Sequence, residues 1–461
     1  MSDTFHTNKN ANLLLFGASI SIVLAGFTAL SVSTAMPDIA RVLNGIHLYP
    51  VAFGIPIVGQ LIATPIAGAI TDSRGAKKPL ILGFLLFVSG LLLCGFAPGI
   101  NTFILGRALQ GFGGGFLMVP VYALVGLLVT PSRRPLFFAS FALAWVLPAI
   151  FGPVLAGKIV EAGHWRWIFL GMTPLVILAS TIIIPLLFKL PTYNKQVPER
   201  TRSIMFMATG TGLSIGLIML VGTLPRHLYA LKTIGTLIGI AIAVYCAPRL
   251  FPSGTFKLKK GIPSVVACRG VSNGLFVALE SFIPLVLQSG RGYLPSNSGI
   301  LLTIGTLAYA LGSVVQGKII RPDLARKVPQ VGAYLALVGA ILTSTIAFVQ
   351  LPVFISVIGW TVTGFAVGLI YPSMSVLVLS WTPQAQHGEA SSSLQIADTI
   401  GSATAIATVT ALFSIVFVFP PPWPYVPVVS IGIILAILTF VSSKRLYVND
   451  DINYEVKDFK F

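Results

Sequence analysis

Four ionisable residues, Arg107, Arg269, Glu280 and Asp398, stand inside long apolar stretches of a 461-residue chain in which only 9% of residues are charged. In lipid each such group costs at least ~2.5–3.5 kcal/mol on insertion scales, so those that remain are candidates for function. The chemistry open to them is narrow. A carboxyl group holds a proton or attracts a cation, and a guanidinium tunes or orders either. At a helical rise of ~1.5 Å per residue, Arg107 lies about 8 Å and Glu280 about 12 Å inside the outer ends of their segments. Arg269 and Asp398 each lie roughly 10 Å from the inner face. The four form two levels, each with one base and one acid. Glu280 is the first candidate for a carboxyl that exchanges a proton for a cation; the alternative is a hydrogen bond between helices without titration. Asp398 with Arg269 reads as a structural or gating ion pair, or as a second proton site.

The elements that must position these groups follow from hydropathy. The chain is 55% hydrophobic with mean hydropathy +0.90, and its apolar residues fall in blocks of roughly 20, enough for a helix to cross a bilayer. Barrel strands would alternate apolar and polar residues, and these blocks do not. The expected fold is therefore an all-α integral membrane protein. Charge clusters and Pro/Gly turns place fourteen spans near 12–36, 50–71, 79–97, 102–129, 136–160, 167–188, 204–224, 228–248, 262–288, 296–317, 328–349, 352–380, 390–418 and 424–443. The first block runs on to Met36 without a cleavage site, so it is a span rather than a signal peptide.

A formal charge of +17 would suit nucleic acid, but the bases lie in short clusters between apolar blocks, which argues against that partner. One face holds 22 of the 30 Lys and Arg residues, so both termini are expected in the cytoplasm. Cys94, Cys246 and Cys268 are packing residues, no His pair has metal-ligand spacing, and Gly111, Gly113, Gly114 and Gly115 lack a P-loop Lys. No metal, cofactor or enzyme chemistry is expected.

The charged run GAITDSRGAKKPL, Gly68 to Leu80, has a second copy in GKIIRPDLARKVP, Gly317 to Pro329, at an offset of 249. Thr130-Pro131 and Thr382-Pro383 match at 252, as do Pro120 and Pro372. A duplication of six helices follows. The expected organisation is a six-helix bundle over 1–190, a linker with two inserted helices over 191–261, and a second bundle with a cytoplasmic tail over 262–461. Such bundles place a binding site near the midplane. Phe27, Trp145, Phe276, Tyr309, Trp360 and Tyr371 are candidates to line an apolar pocket for planar cations, or to pack.

These features resemble the major facilitator superfamily and, within it, the fourteen-helix drug:proton antiporter branch. The GxxxDRxGRRR signature of the loop between helices two and three is matched by Gly68, Asp72, Gly75, Lys77 and Lys78, with Ser73 and Ala76 at two positions where Arg is usual. LGRALQGFGGG, Leu105 to Gly115, is similar to the RxxxG motif through Arg107 and Gly111. GPVLAG resembles the helix-five motif of exporters through Gly152, Pro153 and Gly157, and WRWIFLGMTP, Trp165 to Pro174, resembles the entry to helix six. Thr28 falls where the branch usually has an Asp in helix one, and an offset of 252 sets Glu280 opposite it. The resemblance implies a proton-coupled secondary transporter, with Arg107 tuning protonation and Asp72 in a cytoplasmic gate. It would export lipophilic, cationic small molecules from a bacterial cell as a monomer in the cell membrane. The alternatives are an exporter of an endogenous metabolite, siderophore or lipid-like product, and a non-transporting membrane protein.

Overall fold

The computed structural model describes residues 8–128, 134–188, 196–319, 322–383, 386–416 and 419–447. Every regular element among them is helical. The first six long helices are α1 (Asn8–Val42), α2 (Tyr49–Arg74), α3 (Lys77–Gly95), α4 (Ile100–Leu128), α5 (Arg134–Glu161) and α6 (Met172–Leu187). Two more follow, α7 (Glu199–Gly222) and α8 (Tyr229–Cys246). The last six are α9 (Ile262–Leu285), α10 (Pro295–Gly317), α11 (Pro322–Ser344), α12 (Val353–Trp381), α13 (His387–Val416) and α14 (Val426–Ser443). Thirteen stretches among the described residues are long and apolar enough to cross a membrane. The fourteenth expected span is α5, a 28-residue helix whose first thirteen side chains, Trp145 included, lie outside the described residues.

Proline marks several helix starts, where its missing N–H loses no helical bond: Pro50, Pro263, Pro295 and Pro427 stand at the first or second position. Others sit inside helices, which membrane segments tolerate because neighbouring groups satisfy the freed carbonyls. Pro37 is one of these, and α1 continues through it to Val42 rather than ending at Met36. The second copy of the charged run also departs from expectation. Lys77 and Lys78 open α3, whereas Arg326 and Lys327 lie one turn inside α11, which starts at Pro322. From Pro322 on, this copy is helix where a loop was expected.

The chain forms two compact units, residues 1–212 and 213–461, dividing within α7. In the first, α4 packs against α2 and α3, and α1 packs against α5, α6 and α4. In the second, α12 packs against α10 and α11, and α9 packs against α13, α14 and α12. The pattern is the same with each helix advanced by eight, as a duplication requires. Glycines set the closest approaches in both. A Cβ on Gly111 would overlap the Pro56 carbonyl of α2, and one on Gly364 would overlap the Gly305 carbonyl of α10. Gly59, Gly106, Gly111 and Gly115 match Gly312, Gly359, Gly364 and Gly368 at a single offset of 253.

Candidate functional site

The second unit gathers most of the candidate residues on one stripe of α9. Arg269, Asn273, Phe276 and Glu280 recur at spacings of four, three and four, which puts them on one helix face. At the lower end Arg269 meets Asp398 of α13 in a bidentate pair, Nε to Oδ1 at 2.8 Å and Nη2 to Oδ2 at 2.9 Å. Arg269 Nη1 also donates to the Tyr371 carbonyl at 2.8 Å and to Ser375 Oγ at 2.9 Å, both on α12. The guanidinium lies 3.0 Å from the centroid of the Tyr371 ring, and the Tyr371 hydroxyl donates to Asp398 Oδ2. Asn273 Nδ2 donates to the Asp398 carbonyl at 2.9 Å and to Ser402 Oγ at 2.7 Å. One network therefore ties α9, α12 and α13. Gly270, Gly274 and Gly401 let α9 and α13 come close enough for it, since a Cβ on any of them would press on the facing backbone.

The four aromatic candidates of this unit join the network in a chain. Tyr371 meets Tyr309 edge-on at 6.0 Å, Tyr309 lies 5.9 Å from Phe276, and Phe276 stacks on Trp360 at 4.8 Å. Trp360 is fully buried and its Nε1 has no hydrogen-bond partner among the described residues. Phe276 is only partly buried, so it fronts the stack. Glu280 lies one turn above Phe276 on the same face and about 16 Å along α9 from Arg269. Its side chain is partly exposed, and no hydrogen bond or ion pair holds it among the described residues. The two interior acids thus differ: Asp398 is fully engaged and Glu280 is not.

In the first unit Arg107 of α4 is buried, donating from Nη1 to Gln110 Oε1 at 2.7 Å and from Nε to the Ala52 carbonyl at 3.4 Å. Thr28 is buried, and its hydroxyl is satisfied by the Leu24 carbonyl one turn back. Phe27 is half-buried beside Gly152, whose carbonyl accepts from Ser31 Oγ at 3.3 Å. Gly152, Pro153 and Gly157 are all buried, with Gly152 at the α1–α5 contact. Trp145 cannot be placed in this group, because its side chain is outside the described residues.

The charged run closes α2. Gly75 takes φ +86°, a backbone region that side chains rarely enter, while its N–H bonds the Thr71 carbonyl at 2.9 Å. A Cβ on Gly68 would make ordinary contact with Val119. Lys77 Nζ stands 3.5 Å over the Phe188 ring, and Lys78 is exposed. Asp72 is exposed and makes no hydrogen bond or ion pair among the described residues.

Two arginines have roles that sequence reasoning missed. Arg166 of the WRW motif donates to the Ala97 carbonyl at 3.1 and 3.2 Å, just past the end of α3. Trp165 meanwhile packs edge-on with Phe103 and Phe169 at 6.1 and 6.3 Å. Arg291 donates to the carbonyls of Ile346 at 2.8 Å and Leu351 at 2.9 Å, and also to Phe348, just past the end of α11. α3 and α11 are repeat-related, so each copy has a basic side chain at the same helix C-terminus, where carbonyls lack partners. The two arginines come from different loops, so no repeat alignment pairs them.

The Major Facilitator Superfamily profile matches residues 18–352. Among curated relatives, "Multidrug transporter protein MdtP" of Bacillus subtilis (strain 168) is 24% identical over 416 residues, covering 87% of this chain and 75% of the relative. "Multidrug efflux pump SdrM" of Staphylococcus aureus (strain N315) is 27% identical over 434 residues, covering 89% and 92%. Among solved structures, "Crystal structure of peptide transporter POT in complex with sulfate" aligns over 94% of both chains with a TM-score of 0.68 at 16% identity, a likeness of fold.

Proposed function

Because the chain belongs to the Major Facilitator Superfamily and is a multi-pass membrane transporter of small molecules, we propose that it is a proton-coupled exporter of lipophilic, cationic compounds. The observation that carries this reading is Glu280: an interior carboxyl without a bonded partner among the described residues, one turn from Phe276, the front of an aromatic stack. A carboxylate beside an aromatic face attracts a lipophilic cation. The same carboxyl, protonated, has no charge with which to hold it. Proton and cargo then compete for one group, and alternating access to that group converts proton entry into cargo exit. Asp398 suits the carrier role less, since Arg269 and Tyr371 occupy both of its oxygens. Arg269 with Asp398 acts instead as a clasp that holds Tyr371 and Tyr309 in place, and Gly68, Asp72, Gly75, Lys77 and Lys78 serve a cytoplasmic gate.

Export rather than uptake is favoured by the relatives, which bear the names of a multidrug transporter and an efflux pump. Their bacterial sources favour a bacterial cell membrane, and the bias of 22 of 30 basic residues to one face favours cytoplasmic termini. A monomer suffices for this mechanism. Inverted vesicles containing the protein test the cargo class. With an interior-acid pH gradient, they are expected to accumulate members of a panel of lipophilic cations. If no member moves, the cation assignment is withdrawn.

A further inference from the structure

The first unit buries Arg107 without a counter-charge among the described residues. The residue is 6% exposed and takes part in no ion pair among the described residues. The acids of this unit are Asp3, Asp38, Asp72, Glu161 and Glu199. Asp3 lies outside the described residues; Asp38 pairs with Arg41 at 2.9 Å, and none of Asp38, Asp72, Glu161 and Glu199 pairs with Arg107. Beside Arg107, Gln110 is 3% exposed. Its Oε1 is taken by Arg107 Nη1 at 2.7 Å, while its Nε2 is fully buried with no hydrogen-bond partner among the described residues. Both groups left over here, Arg107 Nη2 and Gln110 Nε2, are donors. Helix packing does not require the charge: at the repeat offset of 253, Gly106 maps to Gly359 and Arg107 to the neutral Trp360. A buried guanidinium and an unmade amide donor are each costly alone, and both costs are removed by one ligand that only accepts hydrogen bonds and carries negative charge.

We propose that Arg107 and Gln110 form a buried site for a small monovalent anion, either a halide or a carboxylate. The site belongs to the first unit and does not depend on Glu280 as the proton carrier. It is tested on the purified full-length protein in lipid nanodiscs, with thermal unfolding followed as chloride or acetate replaces bulky isethionate at constant ionic strength. Ligand that binds only the folded state raises the midpoint saturably. A response to chloride identifies a free halide site, and a response to acetate alone identifies a site for the carboxylate of a transported molecule; either supports the proposal. Gln110→Leu keeps the volume and removes the amide, and is expected to weaken the apparent anion affinity roughly ten- to a hundredfold. Arg107→Gln is expected to abolish the response, and if that variant does not fold, Gln110→Leu alone decides. Absence of any anion response in the wild type overturns the proposal. So does a wild-type response in Gln110→Leu.

Discussion

Arg269 engages four of its five N–H groups, on Asp398, the Tyr371 carbonyl and Ser375. Proton exchange at Asp398 would first have to break that arrangement, whereas Glu280 has no bond to break among the described residues. The difference is measurable. Arg269→Ala strands a buried carboxylate and is expected to cost about 3–5 kcal/mol. A double variant with Asp398→Leu should lose clearly less than the two single changes combined, as read from thermal unfolding in detergent. Additive losses would mean that the pair is not coupled. Tyr371→Phe keeps the ring on the guanidinium but removes one hydrogen bond to a charged group, so a loss of about 1.5–3 kcal/mol is expected. The sequence exposes Arg269 and Asp398 as costly charges at one depth. It does not expose Ser375, Asn273 or Ser402, which are ordinary polar residues until three helices bring them together.

The closest helix approaches in both units are set by glycines, as expected where lipid is as apolar as the core. Gly111→Leu would push against the Pro56 backbone and Gly364→Leu against that of Gly305, neither of which can turn aside. Each is expected to reduce the thermal midpoint of the purified protein by the equivalent of at least ~1–3 kcal/mol. Gly114→Ala provides the contrast, because no heavy atom lies within 4 Å of a Cβ there. It should be neutral, or stabilising by about 0.5–1 kcal/mol through helix propensity. Equal damage at Gly111 and Gly114 would contradict the packing described. The glycine repeat at offset 253 is present in the sequence and marks the duplication more sharply than the charged runs do. Those runs diverge because one ends in a turn at Gly75 while the other continues as helix from Pro322. The arginines at the ends of α3 and α11 were not legible, since a base in a loop looks the same whether it faces solvent or a helix end.

Hydropathy, with charge clusters and Pro/Gly turns as punctuation, located the long helices among the described residues, with ends off by up to about six residues, because a bilayer fixes segment length and demands internal backbone bonding. The ends were less legible, since proline inside a membrane helix need not stop it, as α1 shows. Motion between states leaves no such imprint on composition, and the gate is argued from its motif and from the free carboxylate of Asp72. Asp72→Asn is expected to slow transport while leaving substrate affinity of the purified protein within about twofold, or ~0.4 kcal/mol; an equal loss of binding would place the motif in the site. Proton–cargo competition at Glu280 is tested most directly by proton release on addition of a lipophilic cation to the purified protein in weakly buffered solution. The wild type should release protons in proportion to bound cation. Glu280→Gln should fold normally, bind the cation more weakly and release no protons. Undiminished, cation-dependent proton release from Glu280→Gln would contradict the exchange mechanism.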